Sequence, residues 1–148
     1  MATEIEHKYL VTDPSVVARA TAVIHIRQGF LSRDKHRVVR VRVTDDRAFI
    51  TIKGHSTGAS RPEFEYEIPH TDGEELLLLC LDHIIDKTRH IVIDHGNHWE
   101  IDVYHGRLDG LVTAELELPN EDYTYPLPHF VGQDITHDPR YTNAMLSK

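Results

Sequence analysis

The stretch RVVRVRVTDDRAFITIK, residues 37–53, decides the fold class. Apolar and polar residues alternate on both sides of Asp45-Asp46, and an alternation of period two predicts β-strands. Aspartates are typical of tight turns, so we expect the two strands to run antiparallel. The same alternation recurs over residues 4–9, 63–68, 87–94, 98–104 and 112–118. Short connections between such strands favour an antiparallel sheet or barrel.

Three segments predict helices. Asp13-Pro14 offers an N-cap and a first-turn proline ahead of apolar residues that extend to Ile24. Thr71 and Glu74 resemble a capping box ahead of a leucine-rich run that extends to residue 85. Asp138-Pro139 repeats the first signal and predicts a short C-terminal helix. The predicted fold class is α+β, dominated by strands.

Length and composition narrow the possible functions. We expect the 148 residues to form a single domain, 1–148. The one cysteine, Cys80, excludes an internal disulfide and suits a reducing, cytoplasmic location. No apolar run is long enough for a membrane span, and the charged N-terminus does not resemble a signal peptide. A net charge of −8 argues against a nucleic-acid partner.

Charges of one sign cluster on single faces of the predicted strands. Side chains at i and i+2 share a strand face, and like charges placed side by side repel each other. The basic faces carry Arg40 with Arg42, and Lys87 with Arg89. The acidic faces carry the pairs Glu4 and Glu6, Glu63 and Glu65, Glu100 and Asp102, and Glu115 and Glu117. On any one strand, such a face is most simply a solvated surface.

Taken together, the clusters favour a shared cavity. Carboxylate oxygens are the preferred ligands of hard cations such as Mg²⁺, and arginine and lysine are the preferred ligands of phosphate. A ligand that needs both is a metal–polyphosphate complex. The pattern therefore predicts a metal-dependent polyphosphate site lined by several strands.

The order of these motifs resembles the CYTH superfamily, the triphosphate tunnel metalloenzymes. Glu4-Ile5-Glu6-His7-Lys8 matches the ExExK signature of that superfamily. Further matching motifs follow in the same order from residue 27 to residue 143: Arg27-Gln28-Gly29-Phe30-Leu31, Arg40-Val41-Arg42, Thr51-Ile52-Lys53, Arg61-Pro62-Glu63-Phe64-Glu65, Asp86-Lys87-Thr88-Arg89, Glu100-Ile101-Asp102-Val103, Glu115-Leu116-Glu117 and Arg140-Tyr141-Thr142-Asn143. The resemblance covers nearly the whole chain, and the length is similar to that of short bacterial members that are inorganic triphosphatases.

The resemblance implies an eight-stranded antiparallel barrel whose charged tunnel binds a triphosphate, with helices outside it. The implied phosphate-binding residues are Lys8, Arg40, Arg42, Lys53, Lys87 and Arg89. The implied ligands of one or two Mg²⁺ or Mn²⁺ ions are Glu4, Glu6, Glu63, Glu65, Asp102, Glu115 and Glu117. A lysine with a lowered pKa could help to deprotonate the attacking water, and the candidates are Lys8 and Lys87.

One departure from the family pattern concerns the general base. Some members have a tyrosine after the Gln-Gly pair, beside the lysine of ExExK, but this chain has Phe30. That departure excludes a Lys–Tyr pair at this position and favours Lys8 acting with Lys87. Arg140 either reaches the site or anchors the end of its helix.

Other functions stay open at this point. The same superfamily includes class IV adenylate cyclases and thiamine triphosphatases, and a non-catalytic polyphosphate- or nucleotide-binding module would use similar residues. The expected partner is a small-molecule triphosphate. A homodimer is possible through the leucine-rich segment.

Overall fold

The computed structural model of the protein describes residues 3–148. Within them, nine strands form one sheet. In chain order they are β1 (Thr3–Val11), β2 (Ala22–Ser32), β3 (Val38–Val43), β4 (Ala48–Lys53), β5 (Ser60–Ile68), β6 (Ile85–Asp94), β7 (Asn97–Tyr104), β8 (Val112–Glu117) and β9 (Val131–Asp134). The α-helices are α1 (His70–Leu77) and α2 (Asn143–Leu146). Three 3-10 helices cover Pro14–Arg19, Gly106–Leu108 and Pro139–Tyr141.

Eight of the strands close into an antiparallel ring. Their order around the ring is β1, β5, β4, β3, β2, β6, β7 and β8, and β8 pairs with β1 again. The closing seam, residues 3–5 of β1 against residues 60–62 of β5, is only three residue pairs long. β9 lies outside the ring, against the end of β1. The predicted eight-stranded antiparallel architecture is confirmed.

The two longer helix predictions were wrong in extent. The first helix is a 3-10 turn that ends at Arg19, and Val23 and Ile24 belong to β2, where they pair with β6. Helix α1 ends at Leu77, well before residue 85. Its predicted capping box does not form, because Pro69 is the N-cap and the Glu74 carboxylate pairs with Arg27.

The C-terminal prediction was also too simple. The Asp138 side chain accepts a hydrogen bond from the Arg140 backbone N–H, as the predicted cap requires. The helix that follows is interrupted at Thr142, whose extended backbone separates the 3-10 turn from α2. The result is two short turns in place of one helix. They lie along one mouth of the ring, beside Tyr104 and Lys8.

Apolar packing lies mainly outside the ring. Trp99 and Ile101 project outward from β7 and pack against Phe130 and the 3-10 turn at Val16. Helix α1 covers the outer faces of β3 and β4, where Gly73 lies directly over Ala48. Because the apolar faces pack outward, the charged faces of the same strands line the interior.

No helix among residues 3–148 is both long enough and apolar enough to cross a membrane.

Candidate active site in the tunnel

Strand register fixes which side chains enter the tunnel. Residues paired across neighbouring strands project to the same side of a sheet. Arg40 pairs with Thr51, Lys53 with Glu63, Lys8 with Glu115, and Arg89 with Asp102. The charged residues predicted from the alternation therefore share the interior of one ring.

The ring order separates the charges into two walls. The cationic wall, on β4, β3 and β6, comprises Arg40, Arg42, Lys53 and Arg89. The carboxylate wall, on β1, β5, β7 and β8, comprises Glu4, Glu6, Glu63, Glu65, Glu100, Glu115 and Glu117. These eleven side chains and Asn143 line one central cavity. The cavity is therefore lined by charged and polar side chains alone.

Two of the arginines that line this cavity donate hydrogen bonds to uncharged side chains. Arg40 Nη2 donates to Thr51 Oγ1 at 3.2 Å, and Arg42 Nε donates to Gln28 Oε1 at 2.9 Å. Neither arginine forms an ion pair with any residue in the described part of the chain. Burial, with the charges of Arg40 and Arg89, lowers the pKa of Arg42 to about 9. Both arginines are thus placed to receive an anion.

The remaining cations are paired with carboxylates. Lys53 Nζ lies 2.8 Å from Glu4 Oε2. Arg89 donates from Nε and Nη2 to the two oxygens of Asp102, at 2.8 and 2.9 Å, and contacts Glu100 at 3.1 Å. The charges of Asp102 and Glu100 hold the pKa of Arg89 well above its usual value, against the effect of burial. Arg89 therefore stays charged and fixes the carboxylates beside it.

The two candidate catalytic lysines lie at different depths. Lys8 lines a second cavity, toward one mouth, where its Nζ donates to the Tyr141 carbonyl at 2.7 Å and lies 3.6 Å from Glu115. Lys87 is fully buried behind the wall, with Nζ 2.8 Å from Asp102. Burial lowers the pKa of Lys87 to about 7, although the adjacent Asp102 opposes that shift.

Several carboxylates repel one another. Burial and the charges of Glu115 and Glu4 raise the pKa of Glu6 well above its usual value. Burial and the neighbouring Glu4 raise the pKa of Glu63 to about 8. A hydrogen bond shared with Glu63 and the charge of Lys53 hold the pKa of Glu4 well below its usual range in spite of burial. At neutral pH Glu63 therefore holds a proton much of the time, and a bound cation would displace it.

The donor set of this wall fits a hard divalent cation. All the donors are carboxylate oxygens, the ligand type that Mg²⁺ and Mn²⁺ prefer. Glu4 Oε2 is buried and forms no well-aligned hydrogen bond, although Lys53 lies beside it. No three His, Cys, Asp or Glu side chains of residues 3–148 already converge on one point as ion ligands. Ion binding would therefore draw the acidic side chains together.

The mouth near Lys8 is bounded by two segments. The β4–β5 loop contributes Ser56 and Gly58, and the C-terminal segment contributes Tyr141 and Asn143. Phe30 closes this end from β2, in a buried cluster with Val38, Ile85 and Tyr104. The Tyr104 hydroxyl donates to Asn143 Oδ1 at 3.2 Å.

The sequence reasoning missed several residues of the site. Glu100 was not selected, although it lies two residues before Asp102 on the same face of β7. Gln28, Thr51 and Asn143 lie within the matched motifs but were given no role, since their roles depend on partners elsewhere in the chain. Arg140 lies outside both cavities, exposed and paired with Asp138. Of the two roles considered for it, the structure places it at the helix end.

Comparison with known proteins gives a family and named relatives. The CYTH domain family model matches residues 2–141. The chain is 43% identical to an inorganic triphosphatase of Acetivibrio thermocellus, over 100% of this chain and 95% of that protein. It is 33% identical to an inorganic triphosphatase of Nitrosomonas europaea, over 98% of this chain and 97% of that protein. A solved structure of an inorganic triphosphatase superposes with a TM-score of 0.67 at 30% identity, covering 99% of this chain and 95% of that one.

Proposed function

The chain belongs to the CYTH domain family, and on that basis we propose that it is a metal-dependent triphosphatase that converts inorganic triphosphate to pyrophosphate and phosphate. One observation carries the proposal. Two arginines without carboxylate partners, the buried Arg40 and the half-buried Arg42, face the same cavity as two carboxylates with raised pKa values, Glu6 and Glu63. A cavity with unmatched charges of both signs suits a polyanion bound together with a cation.

The phosphate-binding residues in this proposal are those implied by the sequence: Lys8, Arg40, Arg42, Lys53, Lys87 and Arg89. Arg40, Arg42, Lys53 and Arg89 line the central cavity, and Lys8 lines the cavity at the mouth. Lys87 lies behind Asp102, so its effect on phosphate would be exerted through space. A guanidinium can donate hydrogen bonds to two phosphate oxygens at once, which suits Arg40 and Arg42 to phosphate binding.

The proposed metal ligands are Glu4, Glu6, Glu63, Glu65, Asp102, Glu115 and Glu117, with Glu100 added from the structure. When bound, Mg²⁺ or Mn²⁺ would neutralise phosphate charge and lower the pKa of a water molecule. Asp102 is the least suited of this set, because Arg89 and Lys87 already occupy both of its oxygens. Phosphate release with Mg²⁺ compared with Mn²⁺ distinguishes the two metals.

The reaction needs a proton acceptor. The oxygen of water attacks the terminal phosphorus, the bridging P–O bond breaks, and pyrophosphate leaves while the water gives up its proton. A neutral amine can accept that proton, and the pKa of Lys87, about 7, makes a large share of that side chain neutral at pH 7. Because Lys87 Nζ lies behind Asp102 and lines neither cavity, the proton would have to reach it through a bridging water molecule or through Asp102. Lys8 lies closer than Lys87 to the cavity that the substrate would occupy, and it would orient the phosphate beside Glu115. We propose these two roles for the two lysines.

The alternatives need features that the central cavity does not offer. Adenine and thiamine substrates carry rings that usually stack on aromatic or apolar side chains. Among residues 3–148, the central cavity is lined by eleven charged side chains and Asn143. Inorganic triphosphate, which has no ring, fits the central cavity alone, whereas the ring of the other substrates would have to lie in the cavity at the mouth, beside Phe30 and Tyr141.

Further expectations belong to the same proposal. The single thiol suits a reducing cytoplasm, and the net charge of −8 makes a nucleic-acid partner unfavourable. A homodimer is proposed through the leucine-rich segment, where Leu78 and Leu79 are exposed.

The test is phosphate release from inorganic triphosphate, ATP and thiamine triphosphate, each with Mg²⁺, Mn²⁺ or EDTA. The proposal expects metal-dependent release that strongly favours inorganic triphosphate. Release that favours ATP or thiamine triphosphate would replace the substrate assignment. Tight triphosphate binding without release from any of the three would indicate a binding module, or a cyclase whose product is pyrophosphate.

A further inference from the structure

A fully buried glutamine holds one of the two unmatched arginines. Gln28 of β2 is the register partner of Arg42 on β3, and its Oε1 accepts a hydrogen bond from Arg42 Nε at 2.9 Å. Gln28 is completely shielded from solvent and lies behind Arg42, outside the lining of both cavities. A guanidinium can only donate, so the amide must present its oxygen to Arg42. Gln28 therefore acts on the cavity through Arg42.

The amide of Gln28 is costly to the fold. Its Nε2 is buried and has no hydrogen-bond partner among residues 3–148. A buried polar group left unpaired lowers stability, and an apolar residue of the same size would avoid that cost. Packing alone therefore does not explain a glutamine at this position, whereas the bond to Arg42 does.

The neutrality of the amide matters as much as its oxygen. Arg89, on the same wall, is held by the carboxylate of Asp102, and most of its charge is offset by that ion pair. A carboxylate at position 28 would bind Arg42 in the same way. The amide fixes the direction of the guanidinium and leaves its positive charge uncompensated. Thr51 does the same for Arg40 through its hydroxyl.

We infer that Gln28 is a positioning residue that presents the Arg42 guanidinium, with its charge unmatched, to a phosphate of the substrate. This inference rests on the proposed function, because it takes a polyphosphate as the ligand. It assigns to the glutamine of the Gln28-Gly29 motif a role in substrate affinity, with no direct contact to the ligand.

Two variants separate this role from simple packing. Gln28→Glu has nearly the same shape and can still accept from Arg42, but it adds a compensating charge. Gln28→Met keeps the volume and leaves the charge of Arg42 unmatched. If Gln28 only packs, both variants, once folded, should bind triphosphate nearly as tightly as the wild type. If Gln28 directs Arg42 and leaves its charge unmatched, both variants should bind more weakly, and Gln28→Glu more weakly than Gln28→Met.

The first readout is the affinity for inorganic triphosphate in EDTA, measured by calorimetry, so that no turnover is involved. We expect Gln28→Glu to weaken binding by about tenfold or more, and Gln28→Met by less, about threefold; tenfold corresponds to about 1.4 kcal/mol. With metal present, we expect Gln28→Glu to raise KM more than it lowers kcat. Gln133→Glu, an exposed glutamine on β9, introduces the same charge and should stay within twofold of the wild type.

Equal losses, a larger loss in Gln28→Met, or a Gln28→Glu variant within twofold of the wild type would overturn the inference. If Gln28→Glu does not fold, the double-mutant cycle of Gln28→Met with Arg42→Met decides the question. Losses that are not additive support the coupling, and additive losses overturn it. A wild type that binds triphosphate but does not hydrolyse it would refute the proposed activity and leave the inference about Gln28 standing.

Discussion

Lys53 Nζ lies 2.8 Å from Glu4 Oε2, and this ion pair joins the cationic wall to the carboxylate wall. The two residues come from β4 and β1, which are separated in the ring by β5. Without ligand, each residue neutralises the other. A bound phosphate would replace Glu4 as the partner of Lys53, and a bound cation would replace Lys53 as the partner of Glu4. Each ligand would therefore free the residue that the other ligand binds, so the two ligands should bind more tightly together than separately.

Removing one member of this pair should shift the two affinities in opposite directions. Lys53→Met frees Glu4, so we expect Mn²⁺ to bind more tightly and triphosphate in EDTA to bind about tenfold more weakly, since a charge-assisted contact contributes roughly 1.5–3 kcal/mol. Glu4→Gln should give the mirror result. Calorimetric titration with each ligand separately measures both effects. If both affinities fall in both variants, the exchange of partners does not occur.

Metal binding should stabilise the fold through the carboxylate wall. At a metal concentration of 100 Kd, a single site contributes about 2.7 kcal/mol to the free energy of unfolding. We expect Mg²⁺ or Mn²⁺ to raise Tm in the wild type, EDTA to reverse the shift, and Glu63→Gln to abolish most of it. Glu67→Gln is the matched control on the same strand, since Glu67 pairs with Arg47 at the surface. A full metal-induced shift in Glu63→Gln would remove Glu63 from the ligand set.

Turnover should depend on residues of both walls. Lys8→Ala and Glu117→Ala are each expected to lower turnover by ~100-fold or more, a loss of ~2.7 kcal/mol in transition-state stabilisation. Initial rates of phosphate release measure this loss, with circular dichroism to check the fold. Lys35→Ala and Glu121→Ala, which change exposed residues outside both cavities, are the matched controls. Near-normal rates in folded Lys8→Ala and Glu117→Ala would contradict both assignments.

Lys87 should give the fold a characteristic pH dependence. Its pKa is about 7 in the fold against an ordinary value of 10.5, so between these values the unfolded chain binds a proton that the folded chain does not. The free energy of unfolding of the wild type should therefore rise with pH across this window relative to Lys87→Met, by at most about 1.4 kcal/mol per pH unit. Urea titrations in EDTA at pH 7.5 and 9.5 measure the difference.

Lys148→Met, at an exposed position, is the control for the Lys87 experiment and should show no such difference. Parallel pH profiles of the wild type and Lys87→Met would mean that Lys87 keeps an ordinary pKa. Lys87 would then be a poor proton acceptor at neutral pH.

The alternating pattern was enough to predict most of the ring. It identified seven of the strands and the side of each that carries charge, because the side-chain period of a strand is fixed by geometry. It failed for β2, since Val23 and Ile24 continue the apolar spacing of Val16 and Ala20. Long-range pairing of β2 with β3 and β6 overrides that local signal.

The sequence was enough to predict which charged side chains face the interior of the ring. It was not enough to predict how deeply each of them is buried. A strand pattern says that Lys87 and Asp102 share a face, but it does not say that they lie beneath the cavity lining. Gln28 and Asn143 lie in the matched motifs, but their contacts could not be predicted, for a related reason. Their contacts, to Arg42 and Tyr104, depend on where the closed ring brings distant segments together.

The shortness of the closing seam between β1 and β5 predicts where the ring opens most readily. The seam is three residue pairs long, and one of its members, Pro62, has no N–H to donate. Glu4 and Glu6 lie on one side of the seam and Glu63 and Glu65 on the other, so a cation held by both sets would act as a clasp across the weakest junction of the ring. Amide hydrogen exchange should report this directly. Residues 3–5 and 60–61 should exchange quickly in EDTA and slow down when metal is added, while β2 and β6, which lie opposite the seam and carry none of the proposed metal ligands, stay unchanged.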